Sequence, residues 1–218
     1  MTEILTIACA VAFIASIFMH VTRKYSTLVS MYALQSLGLV IFLGLISWIE
    51  QDRVLAVVAL LTFIIKVVVA PYFFFSIIKR SKIHFASGSY VGIPLSLFAI
   101  LLLMFLSTKL LIPFLSSVGD VSLMPIILYP ILVSGILISL YFIVNHHDIL
   151  AQIIGILSLE NWTMQTGLAI GVKHALLLEI GMSFDIAVWI IISLIFLARL
   201  HQHFGTLHVS HLTQLKED

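Results

Sequence analysis

Residues 145–173 read NHHDILAQIIGILSLENWTMQTGLAIGVK, an apolar run with polar flanks that carries Glu160 and Asn161 at its centre. At about 1.5 Å per residue, a helix of this length crosses the hydrocarbon core of a bilayer, which places Glu160 near mid-membrane. A carboxylate at that depth is costly, so it is expected to face protein or water as a proton or ion site. We interpret the rest of the chain as the helices that surround the Glu160 carboxylate.

The composition of the whole chain is that of an integral membrane protein. Of 218 residues, 61% are hydrophobic and 10% are charged, whereas soluble domains run near a quarter charged. The net charge of +1 is uninformative about nucleic acid, but the lack of a basic cluster argues against binding to it. Cys9 is the single cysteine, so it is expected to pack as a small hydrophobe. The first apolar run follows Glu3 rather than a basic region, which favours a retained helix over a cleaved leader.

Seven apolar runs are each predicted to form a membrane helix, and they lie near 4–22, 26–49, 54–78, 90–114, 123–145, 149–172 and 175–199. Continuous runs do not fit the alternating, roughly ten-residue segments of a membrane barrel, so the backbone must satisfy itself as helix. The predicted fold class is therefore all-α, a polytopic transmembrane helix bundle of about seven helices. We expect a four-helix membrane module over 1–122, a three-helix module over 123–199 and a polar tail over 200–218.

Basic residues predict the orientation of the bundle. The side on which odd-numbered runs end carries Arg23, Lys24, Lys79, Arg80, Lys82, Arg199 and Lys216, and the other side carries Arg53, Lys109 and Lys173. The positive-inside rule then puts the N-terminus outside and the C-terminal tail in the cytoplasm. Two glycine pairs are spaced for close helix approach: Gly167 with Gly171, and Gly88 with Gly92.

Four ionisable residues lie within the runs, and three of them share one depth. Lys66, Glu160 and Asp185 fall near the middle of the third, sixth and seventh runs, and Glu179 falls about one turn from the outer end of the seventh. A row at one depth suggests charge transfer in the membrane plane, between neighbouring subunits. A lysine and a carboxylate in low dielectric perturb each other, so such a pair can switch a proton on or off. The alternative is a static buried ion pair that fixes helix packing.

Polar residues near these charges predict either a wet path or ordinary hydrogen bonds between helices; they are Gln152, Ser158, Asn161, Thr163, Gln165, Gln35 and Ser36. His146 and His147 stand where the sixth helix begins, and they would either deliver protons near neutral pH or form an interfacial polar cap. Pro71 is expected to kink the third helix one turn after Lys66 and to free a carbonyl there. No pattern in the chain supports a catalytic or metal site.

Taken together, these motifs resemble the hydrogenase-4 component E family, membrane subunits of formate hydrogenlyase-type NiFe hydrogenase complexes. The residues that carry the resemblance are Tyr32-Ala33-Leu34-Gln35-Ser36, Lys66-Val67 with Pro71, Gln152-Ile153-Ile154-Gly155 leading to Glu160-Asn161, Asp185, Leu197-Ala198-Arg199, Gly205-Thr206-Leu207, and Leu212-Thr213 with Lys216. A glycine usually follows the Glu-Asn pair in that family, and here the residue is Trp162. The last three runs are also similar to the K subunit of respiratory complex I and to the C subunit of Mrp-type antiporters. Glu160 resembles the first of the two intramembrane carboxylates of that K subunit, and Asp185 corresponds in position to the second.

The resemblance implies a non-redox membrane subunit of a group 4 NiFe hydrogenase or complex I-like oxidoreductase, not catalytic alone. It would contribute to lateral proton or sodium transfer in a bacterial or archaeal cell inner membrane. Implied partners are antiporter-like membrane subunits, a membrane protein similar to the H subunit of complex I, and the hydrogenase large and small subunits. The chain itself would hold no cofactor, and the NiFe centre and iron–sulfur clusters would lie in partner subunits. The alternative is a small ion transporter, or a subunit of a cation/proton antiporter complex, without a redox module.

Overall fold

The structure, a computed structural model, describes residues 2–81, 89–118 and 128–170. Within these ranges the chain is helical and contains no β-strand. The elements are α1 (Thr2–Val21), α2 (Tyr25–Glu50), α3 (Arg53–Thr62), a π-helical segment (Phe63–Val69), α4 (Ala70–Ser81), α5 (Ile93–Val118), α6 (Leu128–Asn145) and α7 (Ile149–Ala169). Because α3, the π segment and α4 follow one another without a break, they form one rod, and the described chain forms six rods in all.

Five of these rods are long and apolar enough to cross a membrane, which indicates a multi-pass membrane protein and confirms the all-α prediction. They are Glu3–Val21, Tyr25–Glu50, Arg53–Lys79, Ile93–Pro113 and Leu128–Asn145. The seventh predicted helix, over 175–199, and the tail over 200–218 lie outside the described residues. The seven-helix count, the orientation and the division at residue 122 therefore stay predictions.

Short polar links turn the chain between neighbouring rods. Asp52 caps α3, since its carboxylate oxygen accepts hydrogen bonds from the backbone N–H of Val54 at 2.8 Å and of Leu55 at 3.4 Å. Just before it, Gln51 ends α2 in the left-handed region, with φ 54°. Links of a few residues between α1 and α2, and between α6 and α7, force these pairs to pack side by side.

Helix α2 is the centre of the bundle, because it packs on α1, α3, the π segment, α4 and α7. Glycines allow the closest approaches. A Cβ on Gly38 of α2 would lie 2.9 Å from the Cβ of Ala12 on α1, and a Cβ on Gly135 of α6 would overlap the ring of Trp162 on α7. No described residue lies within 4 Å of a Cβ added to Gly167, and Gly171 lies outside the described residues, so close approach at this pair stays a prediction.

The third rod changes from α to π geometry around Lys66. Its π segment spans Phe63–Val69, and the N–H of Ala70 bonds to the carbonyl of Ile65, five residues back. Pro71 follows directly and has no N–H to continue the ladder. The irregularity expected at the proline is therefore a wide turn that precedes it, and such turns in helices are frequent at functional sites.

Candidate functional site

The structure brings Lys66, Glu160 and Asn161 together between the third rod and α7. The Nζ of Lys66 donates to the Oδ1 of Asn161 at 2.7 Å and lies 3.9 Å from the Oε2 of Glu160. The lysine side chain is 3% exposed, whereas that of Glu160 is 31% exposed. The lysine is thus enclosed, whereas part of the Glu160 side chain reaches the surface of the described bundle and its Oε2, which faces Lys66, is buried.

Asn161 holds the lysine from inside the bundle, and its own amide is fixed by a second bond. Its side chain is fully buried. While its Oδ1 accepts from Lys66, its Nδ2 donates to the Oγ of Ser36 on α2 at 2.9 Å. Both halves of the amide are therefore satisfied, and the carbonyl end points at the cation. Sequence reasoning treated Asn161 as a supporting residue, but the structure makes it the nearest partner of Lys66.

The distances decide which partner dominates. An N–H···O distance of 2.7 Å is at the short end of the range, typical of a charged donor. At about 4 Å, opposite unit charges attract by roughly 1 kcal/mol in water and roughly 4 kcal/mol at an effective dielectric constant of about 20. The partial exposure of the Glu160 side chain weakens its contribution, although the Oε2 that faces Lys66 is buried. Asn161 therefore anchors the lysine, and Glu160 modulates its charge.

Further polar groups extend the site along the seam between α2, α6 and α7. Gln35, fully buried, donates from Nε2 to the backbone carbonyl of Ser158 at 3.3 Å. The hydroxyl of Ser158 lies 2.9 Å from that of Ser139 on α6. One turn further along α7, the indole N–H of Trp162 donates to the Oγ of Ser16 on α1 at 3.0 Å. Among the polar residues predicted near Glu160, Gln35, Ser36, Ser158 and Asn161 thus join α2, α6 and the third rod to α7. Thr163 instead bonds back to the carbonyl of Leu159 in its own helix.

His146 and His147 lie at the end of α6 and are not brought to Lys66. The neighbouring Gln152 donates to the backbone carbonyl of His146 at 2.9 Å, and Gln152 precedes Glu160 by eight residues, about 12 Å along a helix. His146 is buried, and its Nδ1 lies 2.9 Å from the carbonyl of Phe142, to which it donates. Burial lowers the pKa of His146 below its ordinary 6.5, although the Phe142 carbonyl opposes the shift. His147 packs on the ring of Tyr90.

Two predicted site residues, Glu179 and Asp185, fall outside the described residues, so their place in the proposed row stays a prediction. Within 2–81, 89–118 and 128–170, no cluster of three histidine, cysteine, aspartate or glutamate side chains is arranged to hold a metal ion. Sequence reasoning missed His20, which is buried near the end of α1. The one signal for it was a histidine inside an otherwise apolar run.

Comparison of the chain with known protein families, curated proteins and solved structures finds no match. The resemblance described above therefore rests on its quoted motifs. Several of those motif residues, Gln35, Ser36, Lys66, Glu160 and Asn161, lie within one hydrogen-bonded neighbourhood in the structure.

Proposed function

We propose that this chain is a membrane subunit that carries protons or sodium ions through Lys66 and Glu160. The observation that carries the proposal is a buried lysine, held at 2.7 Å by an amide and at 3.9 Å from a partly exposed carboxylate, on a rod apolar enough to cross a membrane. Charged side chains within membrane spans mark ion and proton pathways.

The geometry suggests how the pair works. When Glu160 accepts a proton, its charge disappears and the attraction to Lys66 is lost. Lys66 is then held by Asn161, a neutral partner, in a buried place that disfavours charge. Release of a proton from Lys66 becomes easier, and transfer of the Glu160 proton to the neutral Lys66 then restores the pair, so that one proton enters and one leaves in each cycle. Because Glu160 is partly exposed, the exchange takes place on the outward side of α7.

The π segment supports this role. Lys66 lies within the π-helical segment Phe63–Val69, which is followed by a proline, and such irregular turns in helices are frequent at functional sites.

The larger assembly follows from the motif resemblance. The subunit would belong to a group 4 NiFe hydrogenase or a related complex I-like oxidoreductase in a bacterial or archaeal cell inner membrane. Its neighbours would be antiporter-like membrane proteins and a protein similar to the H subunit of complex I, while the hydrogenase subunits would hold the NiFe centre and iron–sulfur clusters. The exposed part of Glu160 would face such a neighbour or water rather than lipid.

The test is Glu160→Gln in the reconstituted complex, with Glu50→Gln as the matched control. Glu50 is exposed at the end of α2, so its loss should change nothing. We expect Glu160→Gln to preserve assembly and dye-linked hydrogenase activity but to reduce proton uptake or release at least severalfold. Full proton coupling in Glu160→Gln would make the pair structural.

Purification in mild detergent tests the assembly separately. Co-purification with a NiFe large subunit supports the hydrogenase assignment. An isolated homo-oligomer, or a complex of antiporter subunits alone, would replace it with the transporter alternative. In either complex the Glu160→Gln measurement retains its meaning, because it reports on ion movement rather than on the redox partner.

A further inference from the structure

A separate cavity lies at the end of the bundle where α1 ends and α5 begins. It has a volume of about 170 Å³, and its walls include His20, Thr22, Arg23, Ser89, Gly92 and His146. Since a water molecule occupies about 30 Å³ of liquid, the space would hold one small oxyanion with a few waters. The Lys66 site makes no use of it.

The electrostatics of these walls favour an anion. Arg23 contributes a fixed positive charge, and none of the described lining residues is acidic. Helix α5 starts at Ile93, also in the wall, and a 26-residue helix presents partial positive charge and unpaired N–H groups at its start. Gly92 leaves that backbone accessible, because a Cβ placed there would meet only Pro94 within 4 Å.

His20 supplies an independent observation that points to a ligand. It is 6% exposed, and its Nε2 lies 3.2 Å from the carbonyl of Ile138, to which it donates. Its Nδ1 is buried and has no hydrogen-bond partner in the described part of the chain. Leaving such an atom unsatisfied destabilises the folded protein. An anion in the cavity would satisfy it, provided that the ring is protonated and Nδ1 donates.

The groups around His20 make protonation of its ring depend on a bound anion. Tyr141 stacks on the ring at 5.4 Å, Phe142 meets it edge-on at 4.9 Å, and His146 lies 6.3 Å away between centroids. Arg23 lines the same cavity and opposes a second positive charge. His20 therefore gains a proton favourably only when an anion arrives.

We propose that this cavity binds an oxyanion of the phosphate type, with Arg23 and the start of α5 balancing its charge and His20 donating from Nδ1. The oxyanion is either a free ion or the headgroup of an anionic phospholipid, since the cavity opens at the end of the bundle. A divalent metal on His20 and His146 is disfavoured by Arg23 and by the absence of an acidic lining residue among those described.

The experiment titrates the full-length protein with sodium sulfate in neutral detergent and chloride buffer, by calorimetry at pH 6 and pH 8. Sulfate keeps its double charge across this range, so any pH effect belongs to the protein. We expect severalfold tighter binding at pH 6, and at least tenfold weaker binding in Arg23→Gln and in His20→Phe. Lys24→Gln is the matched control, because Lys24 is exposed beside Arg23 and is not among the lining residues.

Nanodiscs separate the two sources of the oxyanion. In phosphatidylcholine discs the sulfate response should persist, and in phosphatidylglycerol discs it should disappear if the lipid headgroup already fills the cavity. If His20→Phe fails to fold, Arg23→Gln decides the matter, since the Arg23 side chain is exposed. Equal sulfate binding by the wild-type protein, Arg23→Gln and Lys24→Gln would overturn the proposal. So would zinc binding that depends on both histidines and outcompetes sulfate.

Discussion

Removing Asn161 tests which partner holds the buried lysine. We expect Asn161→Leu to destabilise the protein by about 2–4 kcal/mol, since it leaves Lys66 without its 2.7 Å acceptor and Ser36 without its donor. Leucine has a similar size, so the change tests hydrogen bonding more than volume. The same substitution in a Lys66→Met background should cost less, because only the Ser36 bond remains to be lost.

The coupling free energy between the two sites follows from the distances. A hydrogen bond to a charged group contributes about 1.5–3 kcal/mol, so the Lys66→Met/Asn161→Leu cycle should give about 2 kcal/mol. The cycle of Lys66→Met with Glu160→Gln should give about 1 kcal/mol or less, because that pair is 3.9 Å apart and its carboxylate is 31% exposed. The amide coupling should therefore exceed the carboxylate coupling.

Reversible unfolding in mixed detergent micelles, followed by tryptophan fluorescence, would measure these free energies. Tyr129→Phe is the control, since its hydroxyl donates to the carbonyl of Ala169, far along α7 from Lys66. Its cycle with Lys66→Met should be additive within about 0.5 kcal/mol. A Lys66–Asn161 coupling below that value, or below the Lys66–Glu160 coupling, would refute the assignment of Asn161 as anchor.

Two further predictions use the same assay. Gly135→Ala should destabilise by about 1–3 kcal/mol or more, because its Cβ overlaps Trp162, and Trp162→Leu should recover part of the loss. Gly167→Ala should be neutral or stabilising by up to about 1 kcal/mol, since no described residue lies within 4 Å of its added Cβ; equal losses at both glycines would contradict the packing. Burial lowers the pKa of His146. At low pH the unfolded chain therefore binds a proton at His146 that the folded chain does not bind. The free energy of unfolding should accordingly decrease as the pH drops below about 6.5. His146→Gln should flatten that slope in a buffer without sulfate or phosphate, and an unchanged slope would assign it to another group.

The positions of the helices could be predicted from the sequence. The runs predicted at 26–49 and 54–78 become Tyr25–Glu50 and Arg53–Ser81, and the run at 149–172 becomes a helix over Ile149–Ala169. Agreement within a few residues is expected, because a bilayer demands about 20 apolar residues per helix and polar links mark the ends. Lys66 and Glu160 were expected at one level, and their Nζ and Oε2 atoms lie 3.9 Å apart. Helix α7 is not among the five rods of the described chain that are long and apolar enough to cross a membrane, so the depth of the pair stays a prediction.

The rotation of each helix about its own axis could not be predicted from the sequence. Neighbouring positions on a helix point about 100° apart, so the sequence alone could not decide whether Glu160 or Asn161 would face Lys66 more closely. The π segment around Lys66 could not be predicted either, because no periodicity in the sequence indicates it. The burial of His20 could not be predicted for a similar reason. It depends on how α1 and α6 pack together rather than on the neighbours of His20 in the sequence.

Trp162 shows what sets that rotation. It is fully buried, its ring fills the space that Gly135 leaves on α6, and its N–H bonds to Ser16 on α1. With Trp162 held on that side, the preceding Asn161 is turned toward α2 and the third rod, where it meets Ser36 and Lys66. The bulk of Trp162 is therefore matched by a glycine opposite it on α6. The geometry of the charged site thus depends on a contact about 100° around α7 from Asn161.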